Sequence, residues 1–166
     1  MRVAGIRKTS LVDGVGVNYV IYVQGCPHRC AGCHNPSTHD TFGGYEVSIE
    51  ELKNDIASNA LITGVTFSGG EPVLQLWDII ELAAWSKEQG LQTTLYTGYT
   101  LIHRSGRDYC LSENTWVGLS DPMVHTGHLR HFDYIIDGRF DITKKSLDCS
   151  LRGSTNQRIL IKNIDY

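Results

Sequence analysis

The side chains best placed to do chemistry are three cysteines within eight residues, in the stretch Gly25-Cys26-Pro27-His28-Arg29-Cys30-Ala31-Gly32-Cys33-His34-Asn35-Pro36. Glycine and proline lie beside them, so the segment reads as a loop rather than as helix or strand. A loop this short wraps Cys26, Cys30 and Cys33 around one compact inorganic centre, and thiolate-rich sites select zinc or an iron–sulfur cluster. Spacing alone leaves both open, with a redox pair a rarer third reading. Cys110 and Cys149 lie far off in sequence, and either is available as a fourth ligand. If the centre is a [4Fe–4S] cubane and no fourth thiolate joins, one iron stays open to bind something else.

A second block with chemical meaning is Thr66-Phe67-Ser68-Gly69-Gly70-Glu71-Pro72, where an apolar strand empties into a turn almost free of side chains. Such a turn lets a ligand approach the backbone, whose N–H and C=O groups can meet a charged amino-acid moiety. Taken alone, a Gly-Gly turn is usually only a turn.

The blocks together resemble the radical S-adenosylmethionine (SAM) enzymes, and within them the glycyl-radical-enzyme activases. The resemblance is carried by the cysteine triplet, Asp13-Gly14-Val15-Gly16, Cys33-His34-Asn35-Pro36, the Ser-Gly-Gly-Glu-Pro turn and Tyr96-Thr97-Gly98-Tyr99. Two late blocks, Ile136-Asp137-Gly138-Arg139-Phe140 and Arg152-Gly153-Ser154-Thr155-Asn156-Gln157-Arg158, are similar to the activators of anaerobic ribonucleoside-triphosphate reductase. The likeness runs from about residue 5 to 162. It departs at Val15, where the family has Pro, and at Asn18, where it has a basic residue; this first block is therefore read as structural.

The resemblance implies that Cys26, Cys30 and Cys33 ligate three irons of a [4Fe–4S] cluster and that SAM chelates the fourth. Electron transfer through the cluster then cleaves the sulfonium C–S bond to methionine and a 5′-deoxyadenosyl radical. It further implies SAM contacts at Gly70, with Gly69 and Glu71 beside it, and an adenine-side lining from Gly32, Cys33 and His34. A branched side chain at Gly70 is expected to obstruct SAM while sparing the cluster. The implied protein substrate is the glycyl radical subunit of anaerobic ribonucleoside-triphosphate reductase, with reduced flavodoxin or ferredoxin as electron donor. A formate-lyase-type glycyl radical enzyme is the alternative substrate. In a different class stands a non-catalytic module whose cluster or zinc is closed by Cys110 or Cys149, a reading that leaves the Gly-Gly-Glu turn without a purpose. A primary carbon radical attacks nearby C–H bonds, so the expected site is enclosed.

The elements that must position these residues alternate. Val15 to Gln24 has a period-two pattern rich in β-branched and aromatic residues and predicts a strand that ends at the cysteine loop. Ser48-Ile49-Glu50-Glu51 is a capping box opening a helix with Ile49, Leu52 and Ile56 on one face. Gly64 to Phe67 predicts a short buried strand. A second helix carries Leu76, Ile79, Ile80 and Ala83 inward and ends at Gly90. Strands follow at Leu91 to Thr97, Tyr134 to Asp137 and Ile159 to Ile161. Strand–helix–strand order predicts right-handed parallel crossovers, hence an α/β fold with a largely parallel sheet, a compact partial (β/α) barrel of the radical SAM type. Between His103 and His131 the pattern fails and a long loop is expected; its histidines His103, His125, His128 and His131 are too irregularly spaced for a metal site.

The chain has 166 residues, which predicts one domain over 1–166, with room for a partial barrel but little for a cap over a small substrate. Its net charge of −3 offers no electrostatic footprint for nucleic acid or an anionic membrane. No apolar segment has the length of a spanning helix or the form of a leader, so a cytoplasmic location is expected. Five cysteines, three of them clustered, suit reduced thiols around a metal better than a disulfide framework.

Overall fold

The computed structural model describes residues 1–104, 108–111 and 126–166. Its strands are β1 (Arg2–Ser10), β2 (Asn18–Val23), β3 (Tyr45–Glu46), β4 (Gly64–Gly69), β5 (Gln92–Thr97), β6 (Leu101–Arg104), β7 (Asp108–Leu111), β8 (Tyr134–Asp137) and β9 (Arg158–Ile161). The helices are α1 (Ile49–Ala57), α2 (Leu76–Glu88) and the single turn α3 (Thr126–Leu129).

Seven strands form one sheet in the order β3-β1-β2-β4-β5-β8-β9. The centre, β2-β4-β5-β8, is parallel, whereas β1 and β9 flank it antiparallel. The fold is thus α/β with a largely parallel sheet, compatible with a partial barrel that does not close. Parallel strands are covered on both faces, and the sequences obey: along β2 only Tyr22 escapes burial. Tyr19, Ile21, Val65, Phe67, Leu95 and Ile135 share one core with Leu52, Ile56, Ile79, Leu82 and Ala83 of the helices.

The capping box is complete. Ser48 Oγ accepts the Glu51 N–H at 3.1 Å, and Glu51 Oε2 accepts the Ser48 N–H at 2.9 Å. Helix α2 buries Ile79, Leu82 and Ala83, and Gly90, at φ +77°, takes the left-handed position after its end.

Two expectations change. The strand expected over Val15 to Gln24 is β2 and starts at Asn18, because the buried Asn18 amide donates to the carbonyls of Val15 (3.0 Å) and Gly16 (3.2 Å) and shapes those residues into a turn. The stretch expected to be a loop from His103 contains the β6–β7 hairpin, pairing Leu101–Arg104 with Asp108–Leu111. Of its histidines, His125 lies outside the described residues; His128 sits edge-on to Trp77 at 5.1 Å, and His131 accepts from Arg130.

Register carries the fold to the site. Val23 pairs with Gly69, Phe67 with Leu95 and Thr97 with Asp137, so the parallel strands end at a common level. Whatever leaves those C-terminal ends is gathered at one end of the sheet, the usual place for ligands in α/β folds. The residues that leave are the cysteine loop, the Gly-Gly-Glu turn, Gly98-Tyr99 and Gly138–Phe140.

Candidate functional site

These segments line one cleft at the ends of the parallel strands. Cys26, Cys30, Cys33 and His34 line it together with Ser68, Gly69, Gly70, Tyr96, Phe140 and Gln157. Of the residues singled out from sequence, Gly32 and Glu71 do not reach the wall. Gly32 instead faces Ile142, whose Cδ1 would be 2.7 Å from a Cβ placed there.

Cys33 Sγ accepts the Asn35 N–H at 3.4 Å. The backbone at His28 and Arg29 favours the Cys26 thiolate, and that at Phe140 favours the Cys30 thiolate. Such surroundings stabilise thiolates and tune iron–sulfur potentials. Burial pushes the Cys26 thiol up to about 11, and the Glu71 carboxylate adds to the effect. Burial and the neighbouring Cys33 raise the Cys30 thiol as well. Metal loading therefore has to displace protons. All three thiols are half-buried and free of disulfides.

Among the described residues, no three His, Cys, Asp or Glu side chains gather closely enough to hold one metal ion. Three thiols spread along one cleft suit a polynuclear cluster, each iron taking one thiolate, better than a tetrahedral zinc. Cys149, another free thiol, is not in the wall, and the Cys110 side chain lies outside the described residues. The donor set fits an iron–sulfur cluster.

The Gly-Gly-Glu turn is packed against the cysteine loop more tightly than the sequence implied. The Gly70 N–H donates to Val23 O and the Glu71 N–H to Gly25 O, both at 2.8 Å. These two N–H groups are spent on the end of β2 and the start of the loop, which leaves the turn's carbonyl oxygens as acceptors suited to an ammonium group. Gly69 lies at φ +98°, a conformation costly to any residue with a Cβ. The Glu71 side chain points inward, fully buried, and accepts from Val73 N–H (3.0 Å), Thr97 Oγ1 (2.8 Å) and Gly98 N–H (2.8 Å).

His28, which spacing did not single out, reaches the same carboxylate: its Nε2 lies 2.8 Å from Glu71 Oε2. The only sequence signal for it was Gly98, whose lack of a side chain makes room for the imidazole. The first glycine block is tied down rather than open. Asp13 Oδ2 accepts from Ser10 (2.6 Å) and Tyr22 (3.1 Å), and its carbonyl accepts from Thr66 (2.6 Å).

The far wall comes from the β8–β9 connection. Gln157 Oε1 accepts the N–H groups of Gly153 (3.0 Å) and Ser154 (3.2 Å), while its Nε2 donates to Gly138 O at 2.9 Å. Arg158 Nε donates to the buried Asp137 at 2.8 Å, and Asp137 also accepts the Leu101 N–H. The connection is held as a clasp over the cysteine loop.

Residues 12–160 match the model of the 4Fe–4S single cluster domain family. The chain belongs to that family. A pyruvate formate-lyase-activating enzyme of Clostridium pasteurianum is 41% identical over 104 residues, covering 59% of this chain and 44% of that protein. The pyruvate formate-lyase 1-activating enzyme of Escherichia coli (strain K12) is 38% identical over 128 residues, covering 74% and 46%. That of Staphylococcus aureus (strain USA300) is 40% identical over 98 residues, covering 55% and 39%. The chain spans less than half the length of these relatives. The membership agrees with the radical SAM activase motifs, and the cofactors that accompany it are a [4Fe–4S] cluster and SAM. No helix among the described residues is long and apolar enough to cross a membrane.

Proposed function

We propose that this chain is the radical-generating unit of a glycyl-radical-enzyme activase. Cys26, Cys30 and Cys33 hold three irons of the cluster, and Gly69 and Gly70, with Cys33 and His34 opposite, seat SAM beside it. Gly32 and Glu71 serve that seat from behind, through the loop and the turn. The observation that carries the reading is the shared cleft, in which three thiols face a turn stripped of side chains. When bound, the cluster and SAM supply one-electron cleavage of the sulfonium C–S bond, releasing methionine and a 5′-deoxyadenosyl radical. The chain's part is to hold, orient and exclude. Its turn carbonyls orient an ammonium group, and the Tyr96 and Phe140 walls keep water from the reacting end.

The substrate we propose is a backbone glycine of a partner protein, because the flanking amides stabilise the resulting Cα radical. Anaerobic ribonucleoside-triphosphate reductase is the first choice. Its support is the late Arg152 to Arg158 block, which resembles reductase activators and forms the clasp at the cleft. A formate-lyase-type partner is the second reading, favoured by the names of the relatives above. The electron donor proposed is reduced flavodoxin or ferredoxin.

The test mixes cluster-loaded, reduced protein and SAM with an anaerobic ribonucleotide reductase of the same source, and separately with a formate-lyase-type enzyme. A glycyl doublet in electron paramagnetic resonance, with gain of activity, is expected only in the first mixture. A doublet only in the second mixture transfers the assignment, and silence in both removes the activase reading.

A further inference from the structure

We propose that His28 is a positioning residue: hydrogen-bonded to Glu71, it latches the cysteine loop to the ends of β4 and β5. The latch keeps the three thiols and the Gly69-Gly70 backbone in one register around the cleft. The inference rests on the functional reading above and adds to it a role for His28, which lines the cleft, and for Glu71 behind it.

The pair is enclosed. The His28 side chain is 3% exposed and that of Glu71 is 0% exposed. Glu71 accepts four hydrogen bonds, from Val73 N–H, Thr97 Oγ1, Gly98 N–H and His28 Nε2, and no Lys or Arg pairs with it among the described residues. A buried carboxylate without a permanent cation depends on the full set of its donors, so losing one is costly. Because the carboxylate accepts, His28 carries its hydrogen on Nε2. His28 Nδ1 has no protein partner, which leaves the Glu71 contact as the imidazole's single polar anchor.

Packing fixes the ring from two further sides. A Cβ on Gly98 would lie 2.3 Å from His28 Cδ2 and 2.6 Å from Nε2. Gly98 has no left-handed φ, so its glycine is required by the imidazole and not by the backbone. The Tyr99 ring meets the imidazole edge-on at 4.5 Å. Glu71 also donates its own N–H to Gly25 O at 2.8 Å. Cys26 is thereby held on both sides by one residue, through the backbone at Gly25 and through the side chain at His28.

The experiment compares His28→Leu, which fills the space without a donor, and His28→Gln, which restores an N–H donor. Each is reconstituted anaerobically, and SAM is titrated against the resonance signal of the reduced cluster. His28→Leu is expected to assemble a cluster yet need at least tenfold more SAM for the spectral change, and His28→Gln to fall within about threefold of the parent. Leu and Gln variants that are equally impaired, or a Leu variant that titrates like the parent, overturn the latch. A second measurement needs neither cluster nor SAM: the thermal unfolding of the apo-protein in a cycle of His28→Ala, Gly98→Ala and the pair. The clash predicts that Gly98→Ala destabilises the parent but adds nothing once the imidazole is gone, since neighbours in contact are not additive. Additive losses overturn the latch. A parent protein that shows no spectral response to SAM sinks the functional reading instead, and the apo cycle still decides the latch.

Discussion

A Cβ on Gly70 would lie 2.3 Å from Gly25 O and 3.0 Å from Val23 O, within the segment that enters the cysteine loop. Sequence alone assigned this glycine to the ligand, with the cluster spared by substitution; its surroundings show that it also seats the loop. Gly70→Ala is therefore expected to lower the iron retained after reconstitution by at least half, before SAM is added. Full iron content in that variant returns Gly70 to a ligand-facing role alone. The same scale explains what motif reading leaves out. Glu71 was legible as part of a signature, but its inward turn was not, since the donors of its carboxylate come from Val73, Thr97 and Gly98 and are brought together only by folding. His28 was invisible for the same reason.

At the scale of elements, the strands and helices that carry the site could be read from period and caps. The Ser48 capping box, the Gly64 strand and the Tyr134 strand stand where their patterns put them, because each is held by a local rule: a cap, a buried run, a bounded β-branched segment. Strand β1 was missed, since Gly5 and the exposed Arg7 and Lys8 interrupt its alternation and its order comes from pairing with β2. The late block was legible as a motif, but its contacts were not: Phe140 lines the cleft with Cys30, Ile142 lies against Gly32, and Gln157 ties both ends of the connection. Gln157→Ala removes the acceptor of Gly153 and Ser154 and the donor to Gly138. It is expected to cost about 1–3 kcal/mol by thermal or urea unfolding. It should also shorten the lifetime of the cluster absorbance in air, because the wall that carries Phe140 beside Cys30 loosens. Unchanged unfolding with an unchanged cluster lifetime would separate the clasp from the cluster.

For the whole molecule, the sheet stays open, and its edges are managed. The Ile161 N–H donates to Asp165 Oδ2 at 2.7 Å, while Ile161 O accepts from Ile164 (3.1 Å) and Asp165 (2.9 Å), so the turn after β9 covers part of the outer edge. Everything with chemical potential lies at the opposite limit of this plan, where the parallel strands end together. Among the described residues the barrel is incomplete, and the proposed glycine-bearing partner would meet the cleft at the strand ends. The central claim beneath that proposal is a cluster on Cys26, Cys30 and Cys33 with one iron left for SAM. Its most direct test is anaerobic reconstitution with iron and sulfide, reduction by dithionite, addition of SAM and quantification of 5′-deoxyadenosine and methionine. Equimolar products are expected from the parent and from Cys149→Ala and Cys110→Ala, and none from Ala at Cys26, Cys30 or Cys33. A stable cluster that forms no 5′-deoxyadenosine, or one that is lost with Cys149 or Cys110, would contradict the claim and favour a closed four-thiolate site.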